Sequence, residues 1–180
     1  RLDGSDGFTV AAWVALESFP SDLEVPVERL SPSSVFQQHD GARGFDLFID
    51  TYGRWGLEIG TSRGNVRVDA PDRFPLRRWV HVAAAVDGKS ATVYLDGEAV
   101  ATEKLKRNSD IEFAERPLEL ARSHDEVTFL NFTLNRLNAA YDEVAVFDRK
   151  LVAEEIADLY SAFSSALPTG EASLIVPASR

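Results

Sequence analysis

The chain has no cysteine and no methionine in its 180 residues. Without Cys there is no disulfide framework, no thiolate nucleophile and no sulfur-ligated metal. That absence does not by itself assign a compartment. Residue 1 is not Met, and the opening RLDGSDGF has neither a basic start nor an apolar stretch. The expected reading is a mature or excised piece of a longer chain. No run approaches the ~18 apolar residues of a membrane helix. Positive charge is short: 19 Lys and Arg face 29 Asp and Glu, for a net charge of -10. A surface of that sign repels phosphate backbones and argues against nucleic acid as a partner. The excess acid serves solubility, or it gathers locally to hold a cation. Catalytic motifs are also scarce. No His-Glu-x-x-His, P-loop or Gly-x-Gly-x-x-Gly pattern occurs, and no nucleophile elbow is expected.

What is present is β-pattern. Trp79 to Ala101 reads WVHVAAAVDGKSATVYLDGEAVA. Two apolar strands meet at Asp87-Gly88-Lys89, and a third follows Asp96-Gly97. Asp-Gly between alternating apolar residues is a strong hairpin signal, because the tight turn asks for positive φ at both positions. With Asp96 and Gly97 as the loop, Val93 is expected to face Val100. Ala91, Val93 and Leu95 then line one side, and Thr92 and Tyr94 the other. His81 alternates with Trp79 and Ala83 and reads as a packed structural histidine. Further strands are expected at 8–16, 34–39, 44–50, 55–61, 65–69, 118–122 and 140–147, from alternation and Gly-bearing turns. Pro-rich 18–33 and polar 123–138 read as long loops. One helix is expected over LVAEEIADLYSAF, with Val152, Ile156, Leu159, Tyr160 and Phe163 on one face. About ten short strands and one helix make the chain all-β, a two-sheet antiparallel sandwich over residues 1–163. Residues 164–180 read as a tail or a linker toward a following domain.

The segments DGFTVAAWV, RRWVHVAAAVDGKSATVYLDGEAVA and YDEVAVFDRKLVAEEIADLY, in that order, resemble the laminin-G-like, concanavalin A-like jelly-roll modules. The stretch FQQHDGARGFDLFIDTYGRWGLEIG is similar to modules attached to bacterial fructan-cleaving glycoside hydrolases. Two departures stand out: Ala139-Ala140 where such modules often have Gly, and Val152 where they often carry a Ser or Thr helix cap. The resemblance implies two packed antiparallel sheets and a module that binds sugars, glycans or proteins, or packs beside a catalytic domain of the same chain. It also implies a secreted or cell-surface bacterial protein. Glucanases of this fold carry Glu-x-Asp-x-x-Glu on one strand, which aims alternate carboxylates into one cleft. No Glu here is followed two residues later by Asp, so this segment is expected to be non-catalytic. The alternative is a protein-interaction or adhesion module of a surface protein.

Two sites are expected. A calcium ion wants about 6–8 oxygens. Asp3 and Asp6 beside permissive glycines, with Asp142 and Glu143, are the candidate ligands, or else they shape turns and accept backbone hydrogen bonds. A sugar site pairs an aromatic platform with orienting polar groups. His39, Asp40, Arg43, Tyr52, Arg54 and Trp55 are the candidate set around two turns. Trp55 alternates with Leu57 and Ile59, so a core position competes with that role. Asn131-Phe132-Thr133 matches the glycosylation sequon, which has meaning only in a eukaryotic secretory setting.

Overall fold

The structure is a computed structural model, and it describes residues 2, 7–22, 32–123, 128–129, 132–133 and 136–164. In chain order the strands are β1 (Gly7–Ser18), β2 (Ser33–His39), β3 (Gly44–Ile49), β4 (Trp55–Ile59), β5 (Val66–Asp69), β6 (Trp79–Asp87), β7 (Ser90–Leu95), β8 (Glu98–Lys104) and β9 (Glu119–Leu120). The two-residue strands β10 (Thr128–Phe129) and β11 (Phe132–Thr133) follow, then β12 (Asn138–Phe147) and the helix α1 (Ala153–Ser164). Sheet 1 has the order β12-β1-β6-β7-β8, and sheet 2 the order β5-β4-β3-β2-β9. Every strand pairing is antiparallel. This is the expected jelly-roll sandwich. The loop expected at 123–138 also holds the small β10–β11 hairpin.

Alternation builds the core. Phe8, Val10, Ala12, Val14 and Leu16 of β1 face Phe45, Leu47 and Ile49 of β3 and Trp55, Leu57 and Ile59 of β4 in one buried cluster. Phe8 and Phe45 touch across the sheets with ring centroids 4.5 Å apart. Full burial of each large apolar side chain contributes ~1.5–3 kcal/mol. Period-two alternation therefore fixes register, because a one-residue slip would turn the whole set outward.

The β7–β8 turn forms at the expected Asp96-Gly97, with φ of 51° and 84°. Asp96 Oδ1 accepts from the His81 N–H at 3.0 Å, which ties the turn back to β6. The expected Val93–Val100 pairing is corrected. Leu95 faces Glu98 and Tyr94 faces Ala99, but a bulge sets Val93 opposite Ala101. The bulge turns both Val100 and Ala101 toward the main core, a local gain in burial that a two-residue turn alone does not encode. Gly97 is required twice. Its φ favours glycine, and a Cβ there would press within 3.1 Å of Tyr160 on α1.

The helix lies on the outer face of sheet 1. Its Ile156 is fully buried against Ala11, Ala83 and Ala85, with Tyr94 and Leu151 completing a second small core. The alanines matter because small side chains let the helix approach the strands. The lack of a Ser or Thr cap is met otherwise: Glu155 Oε2 accepts from the Val152 N–H at 3.0 Å, half of a capping box. Arg149 holds the same carboxylate with two nitrogens at 2.9 and 2.7 Å. Thr9 Oγ1 accepts from the Leu151 N–H at 2.8 Å, fastening the start of the helix to β1. Val152, expected on the packed face, precedes the helix and is 56% exposed.

Candidate functional site

The outer face of sheet 2 is polar where that of sheet 1 is apolar. Between the inward apolar residues of β2 to β5 stand outward Gln37, Asp46, Glu58 and Arg67. Strand register brings them into one row. Glu119 pairs with Gln37, Gln37 with Asp46, Asp46 with Glu58, and Glu58 with Arg67. The row takes one residue from each of the five strands. Directly opposed side chains on one face lie close enough to act on a common ligand.

The row is braced. Gln37 Nε2 donates to Glu119 Oε2, and Asn65 Nδ2 donates to Glu58 Oε1 at 3.2 Å. Arg67 Nε donates to Asp69 Oδ1 at 2.8 Å. The Arg67 guanidinium lies 4.1 Å over the Phe48 ring, so one flat face of it is occupied. The row is also graded in exposure. Gln37 is fully buried, Asp46 and Glu58 are half-buried, and Arg67 and Asp69 are exposed. Burial pushes the Asp46 carboxyl up to about 7. The Ser34 hydroxyl opposes this, the Glu58 charge adds to it, and Arg67 opposes it. At neutral pH Asp46 thus shares its proton between two states beside an acidic neighbour.

The six expected sugar residues do not form one surface. Asp40 and Arg43 sit in the β2–β3 turn, and Tyr52 and Arg54 in the β3–β4 turn. These turns are at opposite ends of the six-residue β3, roughly 20 Å apart at ~3.3 Å per residue. Asp40 accepts from the Ala42 and Arg43 N–H groups at 3.1 and 2.8 Å, and from the Arg43 side chain. The backbone bonds from Arg43 and Ala42 hold its carboxyl down to about 2. This pair shapes its own turn. His39 is 5% exposed, and its Nδ1 accepts from the Gly41 N–H at 3.0 Å. Arg54 is spent on Asp50 at 2.6 Å. Tyr52 is 49% exposed, and its carbonyl accepts from Arg73. Trp55 is a core residue rather than a platform: it is 1% exposed and packs edge-on against Phe74.

Of the candidate calcium ligands, Asp3 and Asp6 lie outside the described residues, as do Asn131, His124 and 165–180. Asp142 and Glu143 are exposed on β12. Asp142 stands opposite Trp13, well along β1 from Gly7, which pairs with Asp87. Asp142 Oδ1 accepts from the Glu143 N–H at 2.8 Å. Among the described residues no three His, Asp or Glu side chains converge on a metal-sized site. The letters Gly-x-Ser-x-Gly do occur, at Gly60 to Gly64. They form a turn between β4 and β5 rather than a strand-to-helix elbow, and Ser62 Oγ accepts from the Asp110 N–H at 3.0 Å.

Sequence reasoning missed the row. Its signal was there, as the polar alternates Asp46 and Glu58 between apolar neighbours. Only register shows that they lie side by side.

Two five-stranded antiparallel sheets, a helix over one and a polar row across the other define a jelly-roll sandwich with two unlike outer faces. The chain belongs to the concanavalin A-like lectin/glucanases superfamily, whose family model matches residues 1–157. No curated protein matches the sequence. Three solved structures share the fold. The binding domain of botulinum neurotoxin DC, in complex with SialylT, is 12% identical with a TM-score of 0.61, over 88% of this chain and 36% of that one. The SAP-like pentraxin of Limulus polyphemus is 13% identical with a TM-score of 0.56, over 88% of this chain and 71% of that one. A Trypanosoma rangeli sialidase, in complex with 2,3-difluoro-KDN, is 16% identical with a TM-score of 0.57, over 91% of this chain and 24% of that one. The chain therefore spans about a third of the neurotoxin binding domain and about a quarter of the sialidase.

Proposed function

We propose that this chain is a carbohydrate-binding module that takes its glycan on the polar face of sheet 2. One observation carries the reading: Asp46, Glu58 and Arg67 of three adjacent strands stand in direct register on the outer face of sheet 2, opposite the face that α1 covers, with Gln37 buried beside them. Sugar recognition needs donors and acceptors held in place before binding, because ordering them afterwards costs affinity. Arg67 is held by Asp69 and Phe48, and Glu58 by Asn65. Neighbouring hydroxyls of a sugar can then give protons to Glu58 and accept them from Arg67. The neurotoxin binding domain in complex with SialylT and the sialidase in complex with 2,3-difluoro-KDN support the class of ligand. The finer reading rests on the resemblance around β2 to β4: a non-catalytic module of a secreted bacterial glycoside hydrolase acting on fructans.

The test is isothermal titration of this chain with levan, inulin, a sialylated oligosaccharide and β-glucan, each with calcium and with EDTA. Binding that is lost in Arg67→Ala and Glu58→Gln supports the reading, and the sugar that binds names the class. Binding or thermal stability that depends on calcium would add an ion, at Asp3 and Asp6 or at Asp142 and Glu143, and Asp6→Asn against Asp142→Asn would tell which. No binding to any glycan, with one tight protein partner in pull-down, would replace it with the adhesion reading.

A second reading has its own observation. A half-protonated Asp46 directly opposite Glu58 is the kind of carboxylate pair that divides acid and base roles in glycoside cleavage. Release of reducing sugar from a bound glycan, abolished in Asp46→Asn, would establish it. Bound glycan recovered intact would reject it.

A further inference from the structure

The polar row on sheet 2 is charged unevenly along its length. At the β9 end, Arg122 lies 3.3 Å from Glu119 Oε1, and Gln37 Nε2 donates to Glu119 Oε2. At the β5 end, Arg67 Nε donates to Asp69 Oδ1 at 2.8 Å, and the guanidinium lies over Phe48. Both of these cations are answered by an acid. The middle of the row is different. Asp46 and Glu58 stand directly opposite each other on β3 and β4, a position that sets Cβ atoms ~4.5–5.5 Å apart. Neither has an ion-pair partner among the described residues. Glu58 Oε1 accepts from Asn65 Nδ2 at 3.2 Å. Its Oε2 has no protein partner and is not sealed in the interior. Asp46 Oδ1 is sealed off and unpartnered, so that carboxyl meets a ligand through Oδ2 alone.

Like charges directly opposite one another are unfavourable. Asp46 registers this: burial and the Glu58 charge hold its carboxyl up to about 7. The groups that face it are Ser34 and Gln37 from β2, Glu58 from β4 and Arg67 from β5. Only Arg67 among them is a cation, and its charge is already matched by Asp69. A ligand cation between the pair relieves the repulsion. Calcium fits poorly, because it wants about 6–8 oxygens and the pair offers one open oxygen each. No three His, Asp or Glu side chains converge on a metal-sized site among the described residues. An ammonium fits better: it is compact, carries three donors and needs no cage of oxygens. A carboxylate on a ligand meets the reverse situation, two acids and no unmatched cation.

Resting on the carbohydrate-binding reading of this face, we propose that its glycan is an amino sugar whose free ammonium seats between Glu58 Oε2 and Asp46 Oδ2. The ring hydroxyls beside the amine then reach the Arg67 donors and the Asn65 amide. Acetylating the amine removes its charge and leaves one donor in place of three, so the N-acetyl sugar loses the seat. A sialylated or uronate sugar is repelled. A fructan has no amine, so it gains nothing from the acidic middle of the row. A lysine side chain brings the same charge without the hydroxyls.

The test is calorimetric titration of the chain at pH 6, where an amine of the α-amino kind (~7.7–8.0) is charged. The probes are a glucosamine trimer, its N-acetylated counterpart, a fructan trimer, a sialylated trisaccharide and trilysine. The glucosamine trimer should bind about ten-fold tighter than its acetylated form, because charge-assisted hydrogen bonds are the stronger kind. The sialylated sugar should be the weakest. Raising salt from about 50 to about 500 mM should narrow the gap between the two trimers. Glu58→Gln keeps the side chain's size and should cost the amine trimer more than the acetylated one. The comparison of ligands on the wild type stands by itself if that variant fails to fold. Equal binding of the two trimers, or tighter binding of the fructan, would overturn the ammonium seat and leave the carbohydrate-binding reading in place. Trilysine as tight as the glucosamine trimer would overturn it too, since charge alone would then suffice. Silence from every sugar would overturn both readings together.

Discussion

The two sheets share one inner chemistry and have opposite outer ones. Inside, both present Val, Leu and Phe to a common core. Outside, sheet 1 presents Ala11, Ala83 and Ala85 to a helix, while sheet 2 presents Gln37, Asp46, Glu58 and Arg67 in register. An apolar outer face must be covered, and α1 covers it. A polar outer face needs no apolar cover, and here Arg67 and Asp69 at its β5 edge are exposed. On the function proposed above, the helix marks by exclusion the face on which a glycan would bind. Each sheet also carries a titratable group whose ionisation burial suppresses: His81 on sheet 1 and Asp46 on sheet 2.

Removing the cover should have the largest effect. Ile156 is fully buried between α1 and the three alanines. Ile156→Ala should cost about 2–5 kcal/mol, the range for a deleted buried aliphatic. A denaturant melt at pH 7 checks it. A loss under ~0.5 kcal/mol would mean that the helix is not an integral part of sheet 1's stability.

The two titratable groups should then pull stability in opposite directions. Asp46 ionises near 3.8 ordinarily and near 7 in the fold. Between those values the folded chain keeps a proton that the unfolded chain has released. Stability therefore falls as pH rises through that window, and the whole penalty stands above it. At ~1.4 kcal/mol per pH unit the upper bound is about 4 kcal/mol. Asp46→Asn should accordingly raise the melting temperature at pH 8 and leave it nearly unchanged at pH 3. His81 runs the other way. It protonates near 6.5 ordinarily and near 4 in the fold, so the unfolded chain takes a proton first. Its contribution is intact above 6.5 and is lost as pH falls toward 4, by about 3 kcal/mol at most. Melting His81→Phe against the wild type from pH 4 to 7 should show a flatter acid limb in the variant. Equal slopes would remove His81 from the account.

Gly97 joins the β7–β8 turn to the helix. With φ at 84° and Tyr160 within 3.1 Å of any added Cβ, Gly97→Ala should cost about 1–2 kcal/mol from the left-handed conformation alone. Combining it with Tyr160→Ala should recover only the crowding part. The double variant therefore separates turn strain from helix contact.

How much was legible in the sequence follows the same division. The inner faces could be read because alternation is a local pattern, and Phe45, Leu47 and Ile49 announce their side without knowledge of the partner strand. The Asp96-Gly97 turn could be read because it depends on two adjacent residues. The helix could be read from Ile156, Leu159 and Tyr160, although Val152 was placed on its packed face by spacing alone. The polar row could not be read. Glu119, Gln37, Asp46, Glu58 and Arg67 are scattered along the chain, and only pairing unites them. Closeness in sequence misled in the opposite sense: Asp40 and Tyr52 are twelve positions apart but occupy opposite ends of β3. Trp55 drew attention as an aromatic beside polar residues, yet its alternation with Leu57 and Ile59 correctly marked it as core.

The smallest effect on stability should carry the most information about function. Arg67 is exposed, and its bond to Asp69 is between two exposed side chains. Such pairs contribute ~0–1 kcal/mol, so Arg67→Ala should melt within a degree or two of the wild type. Its part in the row is different in kind, because the guanidinium lies 4.1 Å over the Phe48 ring and is also bonded to Asp69. If the polar face is the binding face, the same variant should lose most glycan affinity while keeping its fold. Arg67→Lys should not restore it, since an ammonium neither stacks on Phe48 in the same way nor offers a planar fork. Full affinity in Arg67→Ala would detach the row from binding and return attention to the ends of β3, where Tyr52 is exposed. Loss in Arg67→Ala with retention in Arg67→Lys would show that the row needs only a charge.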